Sequence, residues 1–298
     1  MRQLLIIIFA KLLLSSCTIP KKDTSQVNPP LKQKDTTVIS NENEEIFNNL
    51  NSQDVLNKLF DSPIMDSNET AIWKPNYYER MTFPVSYDGK CHSNIDTIMY
   101  FTDGSNRKCA CVIITNFNYR KGTFDDSTKV EIGDCHFCGV PLGIALFSQT
   151  NSMQWELYKF EKIFTTLGYF GVYKTGRESA GKISLKKIGN NWTCLSLLQG
   201  VGGNGGYLEG YENLYSIEQF QIGGFPNNVL SCIFSNTYYS SNIDAGIPEK
   251  DREEVKTELR TIEKGKDYFD IDLISISKGK STTKHYHYSD EYNQFVEK

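Results

Sequence analysis

Hydrophobic and polar positions divide the chain into three regimes. Residues 4–14 form an apolar run broken by Lys11, large apolar residues are sparse from Thr18 to Asn51, and periodic patterns begin at Ser52. Ser52, Gln53 and Asp54, followed by Val55, Leu56, Leu59 and Phe60, combine capping residues with apolar spacing of three to four and predict one short helix ending before Pro63. Thereafter the period shortens. Ile95–Phe101 and Cys109–Phe117 are β-branched and aromatic runs joined through Asp103, Gly104, Ser105 and Asn106, the pattern of a hairpin. Leu142–Phe147 and Trp155–Phe160 flank the polar loop Ser148–Ser152. Ile183–Ile188, Trp192–Leu198, Tyr215–Ile222, Val229–Phe234, Phe269–Ile276 and Lys284–Tyr288 continue the series. Strands about ten residues apart with Gly or Asn turns predict a mainly β domain, an antiparallel sandwich or a propeller-like or barrel-like arrangement, with one short N-terminal helix. Glu249–Lys264 fits either period. The turn at Lys264, Gly265 and Lys266 favours a strand there, closing a hairpin with Phe269–Ile276.

The first apolar run is too short for a membrane span, which needs about 20 uninterrupted apolar residues, and it reads as an export signal. Leu14, Ser15, Ser16 and Cys17 directly behind it resemble the lipobox of bacterial lipoproteins. That resemblance implies cleavage before Cys17 and attachment there of a lipid such as palmitate, so that the stretch leaves no transmembrane helix in the mature protein. The expected organisation is a signal peptide over 1–16, a lipidated cysteine and flexible tether over 17–51, and a single β-rich domain over 52–298. The tether is rich in Pro, Lys, Asp, Thr, Asn and Gln and has too little apolar surface to order itself.

Charge narrows the range of partners. The chain carries 32 basic and 36 acidic side chains. Loss of Arg2 and Lys11 with the signal leaves 30 against 36, a formal charge of −6. With no clustered Lys and Arg to neutralise phosphates, nucleic acid is not an expected partner.

A second resemblance lies in the middle of the chain. Cys135, His136, Phe137, Cys138, Gly139, Val140 and Pro141 precede a strand ending Ala145, Leu146, Phe147; Trp155, Glu156, Leu157 and then Gly168–Gly171 follow. This order resembles a group of uncharacterised secreted bacterial proteins with a C-H-x-C-x-x-P element, over about Asp96–Phe225. It implies a β-rich extracytoplasmic domain and carries no activity with it.

Seven cysteines remain beside Cys17: Cys91, Cys109, Cys111, Cys135, Cys138, Cys194 and Cys232. An exported chain permits disulfides, and an odd number leaves at least one thiol without a partner in the chain. Cys109 and Cys111 share one face of a predicted strand, where extended backbone cannot bond them to each other. One is a partner for Cys91, or both are small buried apolar residues. Cys135 and Cys138 enter a strand from a turn and have three readings: a local structural disulfide, packing residues, or a metal or redox site. With His136, Cys109 and Cys111 they form a zinc-compatible set. A redox role lacks the helix N-terminus that lowers a thiol pKa. Cys194 and Cys232 fall in apolar strands and read as core.

Other candidates are weaker. The Gly202–Gly206 loop lacks the following helix a phosphate loop requires. His285 and His287 lie on one face of a terminal strand and either ligate a metal or flank an edge. Asp125, Asp126, Glu253 and Glu254 are neighbouring acids in polar loops. Two functions stay open. The first is a non-catalytic, lipid-anchored β module, without a cofactor, that binds an envelope protein or a small ligand or glycan through exposed Tyr, Trp73 or the glycine loop. The second is a thiol- or metal-dependent envelope enzyme centred on Cys135 and Cys138. The expected location is the cell envelope, facing away from the cytoplasm or in the periplasm, with Thr18 favouring the outer over the inner membrane.

Overall fold

The computed structural model describes residues 46–60, 63–67, 69–76, 89–117, 140–167, 182–190, 192–202, 208–218, 229–242, 248, 251–263 and 268–298. These fall in one compact unit beginning at Ile46. Among them are one helix, α1 (Ser52–Leu59), and fifteen strands. The strands are β1 (Ile46–Phe47), β2 (Ile64–Met65), β3 (Ala71–Trp73), β4 (Cys91–Thr102), β5 (Lys108–Phe117), β6 (Val140–Gln149) and β7 (Trp155–Leu167) in the first half. The second half holds β8 (Lys182–Lys187), β9 (Thr193–Gly202), β10 (Leu208–Ser216), β11 (Cys232–Ser241), β12 (Glu254–Ile262), β13 (Asp270–Ser277), β14 (Lys280–Ser289) and β15 (Gln294–Glu297).

Two antiparallel sheets result, so the mainly β architecture and its short helix are as the periodicity indicates. The seven-stranded sheet runs β1-β7-β6-β5-β4-β3-β2, and the eight-stranded sheet is an uninterrupted meander from β8 to β15. The segment that fits both periods is strand β12, pairing with β13 from Val255 opposite Ser277 to Ile262 opposite Asp270. Several boundaries differ from the sequence reading: β7 runs on from Phe160 to Leu167, and the strand expected over Val229–Phe234 is β11, Cys232–Ser241. The strand expected over Tyr215–Ile222 is β10, which begins at Leu208 and ends at Ser216. The domain starts before Ser52, because β1 pairs with β7 and Phe47 and Leu50 are buried.

Helix α1 is capped by Asn51, whose Oδ1 accepts the Asp54 N–H at 2.8 Å, rather than by the residues after it. Val55, Leu56 and Leu59 recur on one face and, with Phe60, enter a core against the seven-stranded sheet. Strict alternation sorts β5 between two layers. Ala110, Val112 and Ile114 face α1, whereas Cys109, Cys111 and Ile113 face Leu195 and Leu197 of the eight-stranded sheet. A third layer on the far side of that sheet holds Trp192, Leu214, Phe234, Ile271 and Phe295. A sheet covered on both faces explains why β6 is almost wholly apolar.

Candidate functional site

The two sheets meet at a seam where the β4–β5 turn approaches the β8–β9 turn. The first turn is built by Asp103. Its Oδ1 accepts the N–H groups of Ser105 and Arg107, each at 2.9 Å, and its Oδ2 takes the Arg107 guanidinium at 2.8 Å. Asp103 is buried, so this ion pair with its backbone donors satisfies a carboxylate that is otherwise costly to bury. Asn106 adopts a φ of 62°, a left-handed conformation that Asn accepts better than most side chains.

The second turn is held by Ile188, whose N–H donates to the Trp192 carbonyl at 2.9 Å. The Trp192 ring stacks on Tyr268 at 5.1 Å, and Tyr268 stacks on Tyr288 at 3.8 Å. Between the turns lies an open groove of about 460 Å³, lined by Tyr100, Asp103 and Asn106 on one wall and by Lys187, Asn190 and Trp192 on the other. Its size is that of a small-ligand site, and its lining mixes aromatic surface with amide, hydroxyl and ammonium groups.

Glu218 ties the walls together. Its Oε1 accepts the Thr193 N–H at 2.6 Å, and its Oε2 accepts the Gly104 N–H at 3.0 Å. Burial pushes this carboxyl up from its ordinary value to about 7 against the lowering effect of the two N–H bonds. Both oxygens are occupied by backbone donors and Asp103 is wholly engaged by its own turn. Both carboxylates therefore organise the walls of the groove through the backbone they hold.

The residues singled out from sequence are placed as follows. Cys17, Cys135, His136, Cys138, Asp125, Asp126 and most of the 202–206 glycine loop lie outside the described residues. Cys109 and Cys111 are buried free thiols in the layer between the sheets, and neither is bonded to Cys91. Register explains this. Met99 is the partner of Cys111, so Cys91 lies eight positions further along β4, roughly 26 Å at strand rise, and on the opposite face. Burial pushes the Cys109 thiol up to about 12 and raises Cys111 further, so both stay protonated, the form that neither attacks nor ligates. Cys194 is likewise a buried free thiol, whereas Cys232, read from sequence as core, is disulfide-bonded, with its partner outside the described residues.

Trp73 is not a surface anchor. It is buried, and its indole N–H donates to Ser93 Oγ at 2.7 Å, which in turn donates to Asn116 Oδ1 at 2.6 Å. His285 contacts Asp272 through Nδ1 at 2.7 Å, while His287 Nδ1 is buried without a hydrogen-bond partner. Among the described residues no three His, Cys, Asp or Glu side chains converge as a metal site would require. Glu253 and Glu254 make exposed contacts with Ser277 and Lys256.

Sequence reading treated Asp103–Asn106 only as a turn and passed over Glu218. The available signal was a lone carboxylate directly after the buried Ile217. No protein-family model, curated protein or solved structure matches this chain.

Proposed function

We propose that the chain is a lipid-anchored lipoprotein of the cell envelope whose β domain binds a small polar ligand, such as a glycan, in the groove between Asn106 and Trp192, without chemistry. The observation that carries the binding role is the groove itself, in which cationic, amide and aromatic groups line a concavity while the nearby carboxylates are committed to backbone donors. The anchor rests on Leu14–Cys17 behind a short apolar segment. Lys187, exposed on the groove wall, favours a ligand bearing an acidic group. An outer-membrane location and a periplasmic or surface-facing orientation belong to the same proposal.

The alternative, a thiol- or metal-dependent envelope enzyme centred on Cys135 and Cys138, loses support at Cys109 and Cys111, which are protonated and enclosed in an apolar layer. Two measurements test the main reading. Mass spectrometry of the mature chain should find a lipid on Cys17, and Cys17→Ser should abolish membrane fractionation. Titration of the full chain with acidic oligosaccharides should show binding that Lys187→Glu and Asn106→Ala weaken roughly tenfold or more. Stoichiometric zinc in the purified protein, lost in Cys135→Ser, would turn the assignment to the alternative.

A further inference from the structure

We propose that Glu218 is a proton-operated strap on the groove: its ionised carboxylate holds both walls, and uptake of one proton from solvent releases the Gly104 wall. This rests on the groove being the binding site, and it assigns that site a control by external pH.

The argument is geometric. The carboxylate contributes one oxygen to each wall, Oε1 to the Thr193 N–H and Oε2 to the Gly104 N–H. A carboxylate accepts at both oxygens. A carboxylic acid retains one good acceptor, its carbonyl, and the other oxygen becomes an O–H donor facing an N–H donor. The protonated form therefore satisfies only one wall. The Thr193 bond is the shorter at 2.6 Å and the Gly104 bond the longer at 3.0 Å, so the hairpin turn is the wall that lets go. That turn carries Asp103 and Asn106, both groove-lining, whereas the β9 wall is anchored independently by the stacking of Trp192 on Tyr268.

The surroundings leave Glu218 as the group that changes charge near neutrality. Asp103 and Arg107 face it from the β4–β5 turn as an ion pair. Cys109 from β5, Cys194 from β9 and Tyr158 from β7 are all pushed upward by burial and remain neutral throughout. Desolvation raises Glu218 to about 7, which moves the event from strongly acidic conditions into the range an envelope protein meets.

Hydrogen–deuterium exchange of the full chain, corrected for the intrinsic pH dependence of exchange, tests the strap without a ligand. Protection of the Gly104 amide should fall roughly tenfold between about pH 8 and about pH 5 while Thr193 stays protected. In Glu218→Gln, whose side-chain amide has one acceptor oxygen, the weak Gly104 protection should be present at both values. Gly104 protection that is flat in the wild type, or that titrates equally in Glu218→Gln, overturns the strap. Should that variant not fold, the Glu218 carboxyl carbon resonance of the wild type decides. A midpoint within roughly one pH unit of the Gly104 transition supports the strap, and a wider separation overturns it. A failed strap leaves groove binding standing, and a groove that binds no acidic saccharide leaves the strap result unchanged.

Discussion

The phenolic hydroxyl of Tyr158 on β7 donates to the backbone carbonyl of Ile217 at 2.5 Å, a hydrogen bond that ties the seven-stranded sheet to the segment directly after β10 across the apolar layer between the sheets. Burial raises the phenol, so it remains a donor well into alkali. Tyr158→Phe removes the donor while leaving the ring. The expected loss is about 1–2 kcal/mol, because the Ile217 carbonyl is then left without that donor in an apolar layer. Denaturant unfolding at neutral pH measures it, and a loss under about 0.5 kcal/mol would show that the hydroxyl adds nothing beyond its ring.

The pH dependence of folding follows from Glu218. Its pKa in the fold, about 7, lies above the ordinary 4.5, so between these values the native state binds the proton that the unfolded chain releases. Its contribution to stability is therefore fully present below about pH 4.5 and is lost as pH rises through about 7, at no more than about 1.4 kcal/mol per pH unit. Glu218→Gln should flatten this stretch of the stability profile and be relatively more stable at pH 8 than at pH 5. Stability that instead rises from pH 5 to pH 8 in a Glu218-dependent manner would contradict the sign. Local and global effects run in opposite directions, because the neutral acid is cheaper to bury and yet holds one wall fewer.

Thiol chemistry separates two kinds of cysteine. With a pKa of about 12, Cys109 is ionised to about one part in ten thousand at pH 8, and Cys111 and Cys194 less. In the native chain Cys91, Cys109, Cys111 and Cys194 should resist alkylation for hours and react together on unfolding. Cys232 should require reductant. Under the proposed lipidation of Cys17, Cys135 and Cys138 are the remaining cysteines of the chain, and a non-reduced peptide map is then expected to join one of them to Cys232 instead of to each other. A map containing only a Cys135–Cys138 link would restore the local disulfide.

Legibility in the sequence tracked how local the determining physics was. The β4–β5 hairpin and the β12–β13 hairpin are written in alternation and turn residues, and both are present with the expected pairing. The two-residue strands β1 and β2 have no period to detect, and β10 was misplaced because Gly210 and the buried Glu212 interrupt the face that carries Leu208 and Leu214. The groove was hidden for a different reason. Its strap joins Glu218 to Gly104 over 114 positions, and no local pattern in either segment announces the other.

Two glycines that the sequence marks only as punctuation have distinct steric causes. At Gly143 a Cβ would stand 2.8 Å from the Lys162 carbonyl oxygen and 3.2 Å from that of Glu161, at the irregularity where β6 pairing with β7 shifts between Leu142 and Ile144. Backbone on a central strand pair cannot withdraw without breaking ladder bonds. Gly143→Ala should therefore cost about 1–3 kcal/mol, and no trimming of a neighbouring side chain should recover it. At Gly210 the Cβ would meet the Tyr238 ring at 2.5 Å and no backbone atom closer. Gly210→Ala should destabilise by a similar amount as the ring is displaced. In the double variant with Tyr238→Ala, however, the added methyl should cost little, because the atoms it would strike are gone. Denaturant unfolding of the single and double variants forms the cycle. A Gly210→Ala penalty undiminished in the Tyr238→Ala background would place the constraint in the backbone at the β10–β11 irregularity after Gly210 instead of in the ring.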